Sequence, residues 1–209
     1  MLIDVSLEIR DGMIFRPGSP PVKICTETYF HEDEGGSYET VTVFMPLHMG
    51  THIDVVDKAN RIDPSRFIGN GKLFDVTGII DREISFSDMV DQMAVAKGDF
   101  VFFRTGWDRF IGSEKYNRHP EISRVILEWL VEKEINMVGI DALGLGRGKN
   151  HGRCDRFIAD NGIYVIENLT ALDAIKGSVF KVYCFPLSIS ASDAIPARVL
   201  VEVTETLGI

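Results

Sequence analysis

Phe100-Val101-Phe102-Phe103 is a continuous apolar run, and its reading decides the class of fold. A strand with one wet face alternates apolar and polar residues, so a run without alternation belongs to a strand covered on both faces. Ile135 to Ile140 has the same character and ends at Asp141. Just before it, Glu121 to Glu134 carries Ile122, Val125, Ile126, Trp129 and Leu130 at the three- and four-residue spacing of a helix with one apolar stripe. Trp129 therefore reads as core. Buried strands separated by an amphipathic helix imply a sheet with helices packed outside it.

Working outward, strand-like segments dominate. Leu2 to Ile9 has a period of two and stops at Asp11-Gly12. Pro17-Gly18-Ser19-Pro20-Pro21 is a rigid loop, and Val22 to Tyr29 and Thr40 to Leu47 pair across the polar stretch from His31 to Ser37. Leu73 to Ile80 is a further strand, and Ser87 caps a short helix that stops near Lys97-Gly98. Beyond Asp141 come a glycine-rich loop and a helix from about Cys154 to Asp160, ended by Asn161-Gly162. Ile163 to Ile166 then delivers Glu167 at a strand end, and Phe180 to Leu187 and Val199 to Val203 complete the set. The expected fold is α/β: a single domain over residues 1–209, with a mixed, partly curled β-sheet and outer helices. No linker or internal repeat divides it.

Composition narrows the partners. A chain of 209 residues buries roughly 70% of its unfolded surface and needs no disulfide to fold. Cys25, Cys154 and Cys184 are odd in number and scattered, which fits reduced thiols in the cytoplasm. A formal net charge of -9 argues against nucleic acid or an anionic membrane as partner. There is no apolar run of membrane-spanning length and no basic-then-apolar leader.

His48-Met49-Gly50-Thr51-His52-Ile53-Asp54 carries the chemistry. Two imidazoles and a carboxylate within seven residues are ligand types that Zn²⁺ and Mn²⁺ accept. Gly50 permits a tight or left-handed backbone that lets the flanking side chains converge, and Thr51 can hold that geometry by a local hydrogen bond. Gly144-Leu145-Gly146-Arg147-Gly148-Lys149-Asn150 follows a strand but has neither P-loop nor dinucleotide spacing. It reads better as a mobile loop over a pocket. A cysteine nucleophile at Cys154 with His151 lacks an orienting context.

The heptad from His48 to Asp54 resembles the His-x-Gly-Thr-His-x-Asp-x-Pro-x-His signature of the cyclase-like metal-dependent hydrolases, a family that includes bacterial kynurenine formamidases and isatin hydrolases. The likeness spans most of the chain, in the family's order. Ile3-Asp4-Val5-Ser6-Leu7, Gly98-Asp99-Phe100, Arg104-Thr105-Gly106-Trp107, Val138-Gly139-Ile140-Asp141, Ile166-Glu167-Asn168-Leu169 and Pro196-Ala197-Arg198 all match landmarks.

The resemblance implies a mixed α/β fold of the swivelling β/β/α type and a homo-oligomer, dimer or tetramer. It also implies a Zn²⁺ or Mn²⁺ site that hydrolyses a C–N bond in a small-molecule amide or lactam. His48, His52, Asp54 and Glu167 match the family's ligands, and Asp155 stands where the family has a distal His. A carboxylate there favours harder ions such as Mn²⁺; His151, four residues earlier, is the substitute. Lys58 stands at the proton-transfer His and Val56 at the signature Pro. Lys58 and Asp54 are thus the candidate catalytic residues, with Lys58 an electrophile or a proton shuttle. Alternatively, Lys58 forms a salt bridge with Asp54 or Asp155 where a second ion would sit. These departures leave open a silent binding protein that keeps the fold. Phe15, Tyr29 and Trp107 are candidates for pocket walls, each with core packing as the plainer role.

Overall fold

A computed structural model of the chain describes residues 1–203 apart from 15, 17, 32, 34, 56–61, 90–93, 177–179 and 191. Its strands are β1 (Leu2–Asp4), β2 (Lys23–His31), β3 (Gly36–Phe44), β4 (His52–Asp54), β5 (Ile68–Asp75), β6 (Glu83–Ile84), β7 (Phe100–Arg104), β8 (Glu121–Ile122), β9 (Met137–Ile140), β10 (Tyr164–Glu167), β11 (Phe180–Pro186) and β12 (Ala194–Val203). Two α-helices join them, α1 (Arg124–Glu132) and α2 (His151–Asp160).

The large sheet runs β12-β11-β5-β7-β9-β10-β4, and β4 pairs back onto β12, so seven strands close into a ring. The wall from β5 through β7 and β9 to β10 is parallel, and the remaining pairings are antiparallel. Ala194 to Pro196 of β12 pair with β4, while its later residues Leu200 to Glu202 pair with β1. The partial curl expected from sequence is thus a full closure. It was hidden because β4 is only three residues long and its partners are distant in the chain.

Closure explains the unbroken apolar run. Phe100 and Phe102 point into the ring with Ile53, Met137, Ile166, Val182, Val199 and Val201. Val101 and Phe103 point outward, where Val138, Ile140 and Val165 meet Ile126, Leu127 and Leu130 of α1 and Ile158 of α2. Both faces of β7 are dry. Truncating one of those phenylalanines to Ala costs about 3–5 kcal/mol.

Several boundaries differ from the sequence reading for local reasons. β1 stops at Asp4 because Ser6 turns to Asp4 through its backbone N–H (3.1 Å) and to Val199 through its hydroxyl (3.2 Å). β3 ends at Phe44, short of His48, and the ligand motif makes a strand of its own. Ser123 caps α1, Ile122 belongs to β8, and Val125 is exposed, so the buried stripe is narrower than the pattern implied. Trp129 packs edge-on against Phe74 and Phe86, as a core residue should. Ser85, rather than Ser87, opens the turn before Met89, and the middle of the expected helix lies outside the described residues. Among those residues no helix is long and apolar enough to cross a membrane.

Candidate metal centre

Alternation along β4 puts His52 and Asp54 on its outer face while Ile53 fills the ring. In the antiparallel neighbour β10, Glu167 lies directly opposite His52. α2 packs across β10 and presents His151 and Asp155, four residues apart and therefore on one helical face. His48 arrives from the turn before Gly50. Gly50 itself has φ +72°, and a Cβ there would lie 2.8 Å from the Ile9 side chain, so the turn requires glycine.

Backbone contacts aim the imidazoles. His52 Nδ1–H donates to Gly50 O at 3.0 Å, since a carbonyl only accepts. Its Nε2 then faces Asp54 Oδ1 at 3.3 Å and Glu167 Oε2 at 3.5 Å. With a second proton that nitrogen pairs with Asp54; without one it offers a lone pair to an ion. His48 Nε2 lies 3.7 Å from Asp54 Oδ1, and His151 Nε2 lies 3.6 Å from Asp155 Oδ2. Two groups result, His48 with His52 and Asp54, and His151 with Asp155 and Glu167. Within each, one ligand atom per residue lies within 4.8 Å of the others.

The electrostatics suit a cation. Asp155 Oδ1 and both Glu167 oxygens are buried with no hydrogen-bond partner among the described residues. Buried carboxylates in that condition either take up protons or recruit positive charge. Burial pushes the Asp155 carboxyl up to about 8, with the Asp54 charge adding to the effect. Burial, then Asp54 and Asp155, raises Glu167 well above the usual carboxylate range. For Asp54 burial acts upward, but the imidazoles of His52, His48 and His151 outweigh it and hold the carboxyl below its ordinary value. Burial lowers His48 and His151, which favours their neutral rings.

Asn168, with φ +58°, ties the site together. Its Nδ2 donates to Gly50 O at 3.0 Å and its Oδ1 accepts from the buried Tyr116 hydroxyl at 2.6 Å. Thr51 bridges across the fold rather than locally: its hydroxyl donates to Asn168 O (2.6 Å) and accepts from Leu7 N–H (2.8 Å). A cavity of about 370 Å³ opens beside these residues, lined in part by Met13, Arg16, Met49, Gly50, Tyr116 and Asn168.

Of the expected site residues, the structure brings His48, His52, Asp54, Asp155 and Glu167 into this one region. His151 joins Asp155 instead of replacing it. Lys58, Val56 and Phe15 lie outside the described residues. Trp107 is core, stacked edge-on with Phe110, and Tyr29 sits on the exposed β2–β3 hairpin against Tyr38. The cysteine alternative fails because burial and Asp155 push the Cys154 thiol up to about 11, leaving little thiolate.

The glycine-rich loop is also not a lid. Ala142 to Gly146 are buried, and Gly144 has φ +96° with its Cα against the site. A Cβ there would lie 2.4 Å from His151 Nδ1 and 2.9 Å from Glu167 Oε1. Gly144 and Gly146 serve close approach, while a Cβ at the exposed Gly148 would meet nothing within 4 Å. Sequence reasoning missed Arg16, whose guanidinium donates to His151 Nε2 at 2.7 Å. Nothing in a single sequence links residues so far apart.

Residues 3–147 match the model of the family described as "Putative cyclase". A kynurenine formamidase from Bacillus thuringiensis subsp. konkukian is 25% identical over 96% of this chain and 96% of its own length. The solved structure of a predicted metal-dependent hydrolase from Bacillus stearothermophilus superposes with a TM-score of 0.77 at 27% identity, covering 96% of this chain and 97% of that one. An isatin hydrolase bound to the product analogue thioisatinate shares the fold, with a TM-score of 0.80 at 19% identity over 98% and 92% of the two chains.

Proposed function

The chain belongs to the cyclase family, and from that premise we propose that it is a metal-dependent hydrolase of a C–N bond in a small amide or cyclic amide. One observation carries the reading: two clusters of imidazole and carboxylate sit side by side, with buried carboxylate oxygens that have no hydrogen-bond partner among the described residues. His48, His52 and Asp54 would hold a divalent ion, with Asp155, Glu167 and His151 beside them. A bound Zn²⁺ or Mn²⁺ supplies Lewis acidity toward a carbonyl oxygen and acidifies water toward a pKa of about 7. The carboxylate of Asp155, where the family has a distal His, favours Mn²⁺. Asp54 is held ionised at neutral pH by the imidazoles around it, which suits a ligand and an acceptor for a donor group. Lys58, at the family's proton-transfer position, takes that role. The cavity beside Gly50 and Asn168 receives the substrate, and its largely apolar lining suits a flat ring.

A second copy of the chain is the partner we infer. Ile24, Phe30, Val41 and Val43 share one face of the β2–β3 hairpin, and Phe30 is 70% exposed. A lone two-stranded hairpin with apolar faces in water is marginal, so an unpaired arm of this kind needs a cover. Free Cys25, Cys154 and Cys184 support a reducing compartment, the cytoplasm.

The test is purification from culture supplemented with Mn²⁺ or Zn²⁺, elemental analysis, and assay against an N-formyl aryl amine and a fused-ring lactam. Bound metal with turnover of either supports the hydrolase, and His52→Ala should abolish both. Bound metal with no turnover of any amide favours the silent binding protein, for which the replacements at Lys58 and Asp155 argue. Absence of both metal and turnover overturns the proposal.

A further inference from the structure

Arg16 reaches the second cluster from the other end of the chain. Its position is held by a local turn: its backbone N–H donates to Ser19 Oγ at 3.0 Å, the Ser19 hydroxyl returns to Arg16 O at 2.8 Å, and Ser19 N–H donates to the same carbonyl at 2.9 Å. The guanidinium then donates to His151 Nε2 at 2.7 Å. Guanidinium keeps its protons at any physiological pH and has no acceptor, so His151 must be the acceptor. The other ring nitrogen agrees, because Nδ1–H lies 3.2 Å from Gly146 O and donates to it. The lone pair of His151 that faces the cluster is therefore already engaged by a cation.

We propose that Arg16 stands in for a second metal ion at His151, Asp155 and Glu167, so that the chain holds one divalent ion, at His48, His52 and Asp54. The inference rests on the metal reading above and refines it.

Charge balance favours the assignment. Asp54, Asp155 and Glu167 offer three negative charges when ionised, which one divalent ion and one guanidinium match. A second divalent ion beside Arg16 would exceed the charge of these three carboxylates by two, in a site where Glu167 and His52 are fully buried. Uncompensated buried charge is costly. Geometry agrees as well, since the two clusters meet at Glu167 and His52, 3.5 Å apart, and a cation in one is felt in the other. Arg16 also lines the cavity.

The experiment reads ion count. Metal-stripped wild type, Arg16→Ala and Arg16→Met are titrated with Mn²⁺, and bound ions per chain are counted by elemental analysis after dialysis. Manganese paramagnetic resonance reports whether bound ions couple, and circular dichroism checks folding. The expected result is one isolated ion in wild type and two coupled ions in both variants, the Met variant keeping most of the side-chain volume. Two ions in wild type overturns the assignment while leaving the hydrolase intact. One ion in wild type and in both variants also overturns it, because the second cluster would then be no ion site even without Arg16. No ion in any of the three overturns the metal reading itself.

Discussion

Glu167 stands directly across from His52 in the pairing of β10 with β4, its Oε2 3.5 Å from the His52 Nε2. The carboxylate belongs to one cluster and touches the other, so the two cannot be altered independently. Glu167→Gln keeps size and removes charge. Because Glu167 is an outer partner of the ligand His52, its loss should weaken Mn²⁺ binding by roughly 10–100-fold. Calorimetric titration checks this, and an unchanged affinity would remove Glu167 from the ion's surroundings.

The metal-free protein should lose stability as pH rises toward about 8. In the unfolded chain an aspartate titrates near ~3.9, whereas burial raises the folded Asp155 to about 8. A raised folded value means that its contribution is fully present below the unfolded value and is lost as pH climbs through the folded one. Glu167 acts in the same direction. His48 and His151 are shifted down and titrate below pH 7, so they leave the window between pH 7 and 9 to the carboxylates. Ion binding removes the penalty, so the gap in melting temperature between loaded and stripped protein should widen from pH 7 to pH 9. A constant gap would contradict it.

Gly144→Ala tests the wall of the site. The new methyl would lie 2.4 Å from the His151 ring, on backbone at φ +96°. Overpacking of this kind costs roughly 1–3 kcal/mol, or about 2–4 °C of melting temperature per kcal/mol in a chain of this size. Scanning calorimetry should show that loss, with Mn²⁺ affinity reduced as His151 and Glu167 are pushed aside. A variant as stable as wild type would mean that the loop yields freely, as a lid would.

The hairpin makes a prediction about assembly. Phe30→Glu combined with Val41→Glu places charge on one apolar face of β2–β3 without touching the closed ring. Analytical ultracentrifugation should find wild type as a dimer or larger and the double variant as a monomer of unchanged circular dichroism. A monomeric wild type would leave the arm's apolar face without the proposed cover.

Legibility followed range in the chain. The run from His48 to Asp54 was visible because its donors lie within a few residues, whereas Asp155 and Glu167 entered as ligands only through the family resemblance. The buried character of Phe100 to Phe103 was equally plain, since lack of alternation has one physical cause. The closing of the ring was not, because it depends on β4 finding β10 and β12 more than a hundred residues away. The glycine-rich loop misled for a different reason: glycine permits both motion and close approach, and only the neighbours of Gly144 decide which. Arg16 was invisible on both counts, since it lies 135 residues from His151 in a loop without periodicity.

The strand that shuts the cylinder is its shortest, and it also carries His52 and Asp54 of the candidate metal centre. Three residues offer few backbone bonds to hold two edges together, so this is the seam where the wall parts most cheaply. An ion gripped by His52 and Asp54, as proposed above, would act as a rivet through that seam. Its departure would loosen the joint between β10 and β12 first, while the distant panel of β5 and β7 stays shut.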